Sequence, residues 1–433
     1  MLTPARLFDA RPGGSDLMTH EAFLDRARTE REQGREDSSR IALAAYLMAR
    51  VIERIPGGNS SEEEQESFKW QLDSARRYIA ELPADTSEVS HLSGIIEAAA
   101  LPEGSRTSAV RTSLMAYCYF LEHEGRFEEA LEVLADATRT FGTAIPESEF
   151  TKVGLLSGRL NRMLAQWEAA NRAYRAAAEA AAAEGDRQGV FLSRLGRANV
   201  LRGQGNLTAA RVLIEQVIEE AGQAGLPEIQ GRGYSDLGAV LSVQGLVLES
   251  LQAQHEALEH TRDEPMRCRI LGDLGITLRD MGAHQPARQA FELVAASRSS
   301  FVVRANAVIE LMDLESGLGN RVAFERRRLA AMAFAERMPP SMAVDYHFKV
   351  GVGLMRFGQA HRAERSLLDA LRLAEHHGLN EWFFRVERVL GNLGSCPDSA
   401  IVRHESASTE LWESPALAEV AAGLQRCAQA LGT

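Results

Sequence analysis

Lysine is nearly absent from this chain of 433 residues: Lys69, Lys152 and Lys349 are its only three. Proline is scarce at 13 residues, aromatic residues make up 6%, and the four cysteines stand far apart with no CxxC among them. Each shortage excludes something. Few prolines leave long stretches free to be helical. Isolated thiols at Cys118, Cys268, Cys396 and Cys427 offer neither a zinc-ligand set nor a redox pair. No apolar run reaches the ~18 to 20 residues needed to cross a bilayer, and the opening MLTPARLFDARPGG has no apolar core of a secretory signal. Strand-like alternation of β-branched residues is missing as well. A net charge of -12 and a pI near 5.5 argue against general nucleic-acid binding. The expected location is cytoplasmic, and the Arg- and Ala-rich composition is that of a GC-rich bacterial genome.

What remains is 45% hydrophobic and 25% charged, ordinary for a folded chain. Its organisation shows in DLGAVLSVQGLVLESLQAQHEA, residues 236–257. Leu237, Val240 and Leu241 lie on one face of a first helix, Gly245 interrupts, and Leu248, Leu251 and Ala257 mark a second. Gly238, Ala253 and Ala257 are small enough to let two antiparallel helices approach closely. The unit recurs on the anchors Gly125, Ala165, Gly205, Gly245, Gly282, Gly319 and Gly358, at intervals of 40, 40, 40, 37, 37 and 39 by subtraction. A helix pair of this size cannot bury its apolar face alone, so the copies must stack.

These residues resemble the tetratricopeptide repeat (TPR) family. Its Leu-Gly pair is matched by Leu237-Gly238 and Leu274-Gly275. Its first Ala is matched by Ala130, Ala170, Ala210, Ala287 and Ala363. Tyr174 and Phe291 stand in its aromatic slot, and Ala137, Ala177, Ala257 and Ala370 in that of its last Ala. The Trp of the family's first helix is absent, and the period exceeds the common ~34 residues. It is similar to the longer period of kinesin light chains and bacterial peptide-sensing TPR regulators. The resemblance implies an all-α fold, a right-handed α-solenoid of antiparallel helix pairs. About seven repeats span residues 106–378, after a lead-in and helical bundle (or degenerate repeats) over 1–105 and before capping helices over 379–433.

The flanks are read from their own signals. Thr19 is the expected N-cap of a helix over 21–33, and Ser38 or Ser39 that of a second carrying Leu43, Tyr46, Leu47 and Val51. Ser60 and Glu63 read as a capping box opening a third helix through Leu82, and residues 87–100 as a fourth. A terminal helix over 381–390 carries Trp382, Phe383, Phe384 and Val386 to close the last repeat. A loop over 391–407 and a helix over 415–431, with Leu417, Val420, Leu424 and Ala428 on one side, follow.

No catalytic constellation emerges. His376-His377 read as cations at a helix end, His347 and His361 as core or surface residues, and Cys118 as a buried structural thiol. The GNLGS run at 391–395 follows a helix with no strand before it, so it reads as a turn and not a phosphate loop. No cofactor or metal is expected, and the chain reads as a non-enzyme. In TPR register the groove of the solenoid takes Lys152, Arg159, Arg162, Asn199, Arg202, Arg232, Arg269, Arg279 and Arg356, together with Glu122, Asp280, Asp313 and Asp345. Such arginines either pair with neighbouring acids or await a carboxylate or phosphate, which the guanidinium fork holds bidentately. Leu195 stands where the carboxylate clamp of chaperone-binding TPRs has Lys, so the groove suits an acidic segment and not a chaperone C-terminus. The expected function is a protein-interaction scaffold holding a partner segment in that groove. The alternatives are a peptide-sensing regulator similar to the Rap proteins, or a non-catalytic subunit of an enzyme complex. The expected partner is a protein or peptide, with no nucleic acid and no membrane.

Overall fold

The structure is a computed structural model that describes residues 20–56, 60–142 and 145–392. Among them there is no strand. The helices are α1 (Glu21–Glu32), α2 (Glu36–Ile52), α3 (Glu62–Ala80), α4 (Ser87–Ala99), α5 (Glu103–His123), α6 (Phe127–Phe141), α7 (Glu147–Met163), α8 (Trp167–Glu184), α9 (Arg187–Gly203) and α10 (Leu207–Gln223). They continue with α11 (Pro227–Val243), α12 (Val247–His260), α13 (Glu264–Asp280), α14 (His284–Ala296), α15 (Phe301–Gly317), α16 (Arg321–Met332), α17 (Pro340–Arg356), α18 (Ala360–His376) and α19 (Asn380–Asn392). None is long and apolar enough to cross a membrane. The chain is an all-α, TPR-type solenoid of antiparallel helix pairs, and it forms two compact units. One holds Met1–Asn161 and Arg172–Gly185, the other Arg162–Asn171 and Asp186–Thr433.

The repeat anchors have one conformational cause. Gly125, Gly205, Gly245, Gly282, Gly319 and Gly358 all take φ between 72° and 81°, and Ala165 takes 57°. A left-handed residue just past a helix end lets its amide and the next reach back to the last free carbonyls. Gly245 N bonds Ser242 O and Leu246 N bonds Leu241 O, both at 3.0 Å. The chain therefore reverses in three residues, and the two helices of each pair must run antiparallel. Gly34, at φ 73°, makes the same reversal between α1 and α2, outside the expected array.

Close approach within a pair also has a repeated cause. A Cβ at Gly158, Gly238, Gly275 or Gly351 would lie 2.6, 2.8, 2.5 or 2.6 Å from Tyr174, Gln254, Phe291 or Leu367. In each case the partner is sixteen residues on, so one small residue admits one large side chain from the facing helix. The first helices of the expected repeats from α7 to α17 all have 17 residues. The second helices vary, from 17 in α10 to 14, 13 and 12 in α12, α14 and α16. That shortening produces the 37-residue intervals.

In the N-terminal unit Glu88 is buried and accepts from Arg26 at 2.8 and 3.0 Å, from Arg126 at 2.5 Å and from the Tyr117 hydroxyl at 2.9 Å. Burial would raise its carboxyl, but the two guanidinium groups outweigh it and hold it at about 2. Cys118 is buried with its thiol 3.7 Å from Ala130 O, and burial pushes that thiol far up. Several expected caps are corrected. The capping box is Ser61–Glu64, one residue later than expected, because the run Glu62-Glu63-Glu64 offers an acceptor in either register. His20, not Thr19, precedes α1 and provides no side-chain cap. The second helix begins earlier, after Arg35, so Ser38 and Ser39 lie inside it, and Ser39 Oγ donates to Ala27 O at 2.7 Å.

Candidate binding cavity

In the C-terminal unit the first helices α9, α11, α13, α15 and α17 neighbour one another in order, as an inner layer. Helix α19 adds a further wall. Its Trp382, Phe383 and Val389 and the buried Val386 pack with Val344, Phe348, Leu367 and Leu379, and Ala165 and Trp167 join the same cluster. A Cβ at Gly205 would lie 3.8 Å from Glu381 Cβ. The last helix thus meets the turn between α9 and α10. Phe384, expected to close the last repeat, instead is 65% exposed and lines the half-open space. Gly391 and Asn392 are still helical, so the expected loop starts later; the rest of it and the helix over 415–431 lie outside the described residues.

The half-open cavity has a volume of about 1060 Å³, just above the usual range for ligand sites, ~300 to 1,000 Å³. Basic Arg202, Arg269, Arg279, Lys349, Arg385 and Arg388 line it, with acidic Asp273, Asp280, Glu310, Asp345 and Glu381, and Gln254 and Asn306 as neutral polar groups. Most of these charges are already answered. Arg269 donates to Asp236 Oδ1 at 2.7 Å. Arg279 pairs with Glu310, with Asp313 at 3.1 Å and with Asp280 at 2.9 Å. Lys349 pairs with Glu310 at 2.6 Å and Asp345 at 2.7 Å. Arg356 donates to Asp313 at 2.9 Å and to Ser316 Oγ at 2.5 Å. Burial would raise Asp313, but Arg279, Arg356 and Lys349 hold it at about 2.

Arg202 differs. It has neither a hydrogen bond nor an ion pair among the described residues; burial pushes its guanidinium below its usual value, with Asp236 pulling it back. It lines the cavity from the end of α9, opposite Glu381 and near Arg162, whose positive charge lowers it further. Arg162 Nε is itself buried without a partner. The remaining expected groove residues divide. Asn199 donates to Asp236 Oδ2 at 2.9 Å, Arg232 is exposed, and neither lines the cavity. In the N-terminal unit Arg159 is held by Glu122 at 2.8 and 2.9 Å, and Lys152 is exposed.

Arg385 and Arg388 escaped the sequence reading because they lie on α19, past the last repeat. Arg385 stacks on Phe348 and Trp382, 4.8 and 5.0 Å from their ring centres. Their signal was available in the pattern WFFRVER, where basic residues share a helix with aromatic anchors.

The class is now defined: a TPR-type α-solenoid with a half-open cavity of mixed polar and apolar lining. No protein-family model matches the sequence, and no curated protein matches it. Among solved structures, the chain is similar to the Rap conjugation gene regulator of plasmid pLS20, in complex with the Phr* peptide. The TM-score is 0.51 at 14% identity, over 77% of this chain and 97% of that one. Also similar are a Rap protein complexed with Competence and Sporulation Factor (TM-score 0.45, 13% identity, 82% and 97%) and NprR with its cognate peptide NprX (0.46, 11%, 82% and 99%).

Proposed function

We propose that the protein is a non-catalytic TPR-type regulator or scaffold whose C-terminal unit holds a short acidic peptide, or an acidic partner segment, in the half-open cavity. The observation that carries this reading is Arg202. In a wall where Arg269, Arg279 and Lys349 are all neutralised by acids, one inward arginine has no partner. Arg202 is half-buried, with Asp236 and Asp273 acting on it only at a distance, and a carboxylate on the ligand would pair its guanidinium bidentately. Arg388, exposed on α19, and Arg162 extend the same positive end. The likeness to a solved regulator bound to a peptide supports peptide as the ligand class.

Fluorescence anisotropy with acidic, neutral and basic hexapeptide pools tests the reading. Acidic pools should bind, with affinity falling as salt rises. Replacing Arg162 and Arg202 together by Glu puts repulsion in place of attraction, so binding should weaken by ~2 to 5 kcal/mol. The exchange of Arg172 and Arg211, the latter paired on the surface with Glu215, should change little. Equal binding by both double variants would remove the cavity from consideration.

A further inference from the structure

The N-terminal unit contains a second polar cluster. His20 precedes α1 at φ 49°, in the left-handed region, and is completely buried. Its Nε2 lies 3.4 Å from Glu53 Oε1, just past the end of α2. Its Nδ1 lies 3.5 Å from Asp136 Oδ2 and 4.0 Å from Glu132 Oε2, both on α6. Tyr46 of α2 meets the imidazole edge-on, with ring centres 6.2 Å apart. Neither ring nitrogen makes a hydrogen bond, and Asp136 Oδ2 and Glu132 Oε2 make none either, although all four atoms are shut away from water. A buried imidazole with both nitrogens unsatisfied forfeits its hydration without replacement. A proton bridging ring and carboxylate would remedy this, but the approach has the distances without the direction of a hydrogen bond.

We propose that His20, Glu53 and Asp136 are the ligands of one divalent transition-metal ion, which fastens the start of α1 to the end of α2 and to α6. One donor atom from each residue lies within 4.8 Å of the other two. An ion with bonds of ~2.0 to 2.2 Å holds donors up to about 4.4 Å apart, so closure needs a contraction on the order of half an ångström. One imidazole with carboxylates suits zinc, manganese or iron better than the hard cations magnesium and calcium, which take oxygen alone. The neighbours are those of a supported site. Arg50 donates to Glu53 Oε2 at 2.8 Å, and Arg139 donates to Glu53 Oε1 at 3.3 Å and to Asp136 Oδ1, which leaves Asp136 Oδ2 turned toward the ring. Glu132 is positioned by the Ala22 amide, 3.2 Å from its Oε1. For Asp136 the hydrogen bond falls on the oxygen away from the ring, as it does for ligating carboxylates held by outer partners, whereas Glu53 is held at both oxygens. The two guanidinium groups offset two of the three carboxylate charges, so an incoming dication meets a pocket that is net negative. The site lies wholly in the N-terminal unit and stands or falls apart from the peptide cavity.

The test is calorimetric titration of the chelator-treated full-length protein with zinc(II), together with amide exchange of α1 before and after loading. We expect one equivalent per chain, slower exchange across Glu21–Glu32 on loading, loss of that equivalent in His20→Gln and at least tenfold weaker binding in Asp136→Asn. The paired imidazoles His376 and His377 serve as the control: replacing both with Gln should leave the equivalent in place. If His20→Gln loses its helical circular dichroism, the Asp136→Asn titration decides. No uptake by the wild type overturns the proposal. So does an equivalent that survives Asp136→Asn unchanged, vanishes with His376 and His377, or leaves α1 exchange as it was.

Discussion

Two glycines three residues apart on α13 should respond in opposite directions to the same substitution. A Cβ at Gly272 meets nothing within 4 Å, because it faces the cavity. A Cβ at Gly275 would stand 2.5, 2.8 and 3.0 Å from three ring atoms of Phe291. That ring has no exposure and is wedged among Leu271, Leu274, Leu278 and Leu311, so it has nowhere to go. Alanine is favoured over glycine in a helix interior by ~0.8 to 1.0 kcal/mol, and both variants share that gain. Overpacking at Gly275 costs ~1 to 3 kcal/mol. The propensity contribution cancels between the two, so Gly272→Ala should exceed Gly275→Ala in stability by the packing cost, ~1 to 3 kcal/mol. Gly272→Ala should itself be about 1 kcal/mol more stable than the wild type. Because the chain has two units, one global transition does not report the difference cleanly. Native-state hydrogen exchange in α13 and α14 does, since a repeat passes damage mainly to its neighbours. Variants that shift exchange in the same direction by the same amount would refute the sixteen-residue packing rule.

The left-handed anchors yield a second pair of opposite signs. Ala165 carries a Cβ at φ 57°, so Ala165→Gly should stabilise, whereas Gly245→Ala should destabilise, each by ~1 to 2 kcal/mol in native-state hydrogen exchange of the flanking helices; shifts of one sign would contradict the turn assignment. Acid should weaken both units. Glu88 and Asp313 are held at about 2 in the folded protein, below their unfolded values. The stability they contribute is therefore complete above pH ~4.5 and lost as pH falls toward 2, on the order of 2 to 3 kcal/mol each. Stability followed by native-state hydrogen exchange should rise as pH falls from 7 toward ~4.5, where the raised carboxyls of Glu129, Glu132 and Asp136 take up protons, and then fall toward pH ~2, less steeply in Glu88→Gln; stability unchanged from pH ~4.5 to ~2.5 would exclude these networks as its source.

The helix pairs were legible in the sequence because their turns demand a left-handed residue and glycine supplies it. Even Ala165, the weak copy, keeps that backbone. Gly34 was passed over because Ser39, five residues later, replaces the expected Ala, although its hydroxyl ties back to Ala27 as Ser250 ties to Gly238. Of the expected groove arginines, Arg202, Arg269 and Arg279 line the cavity, and which acid pairs with which arginine was not read from the sequence. Arg159 finds Glu122, Arg279 finds Asp313 and Lys349 finds Glu310, at separations of 37, 34 and 39 residues. These are distances of one repeat, so a search for opposite charges at the repeat interval would have found them. The cavity itself was hidden for a different reason: it exists because α19 meets the turn at Gly205, and no local pattern encodes a contact between such distant residues.

The constant 17 residues of the first helices, beside second helices that run from 17 down to 12, give the C-terminal unit a fixed gauge on its inside and a free one on its outside. Residues can be gained or lost in α14 or α16 without removing a cavity-lining side chain, because neither helix contributes one and the inner helices keep their length. Length drift across such a lineage would be absorbed by the outer wall, while the chemistry of the inner wall changes one side chain at a time.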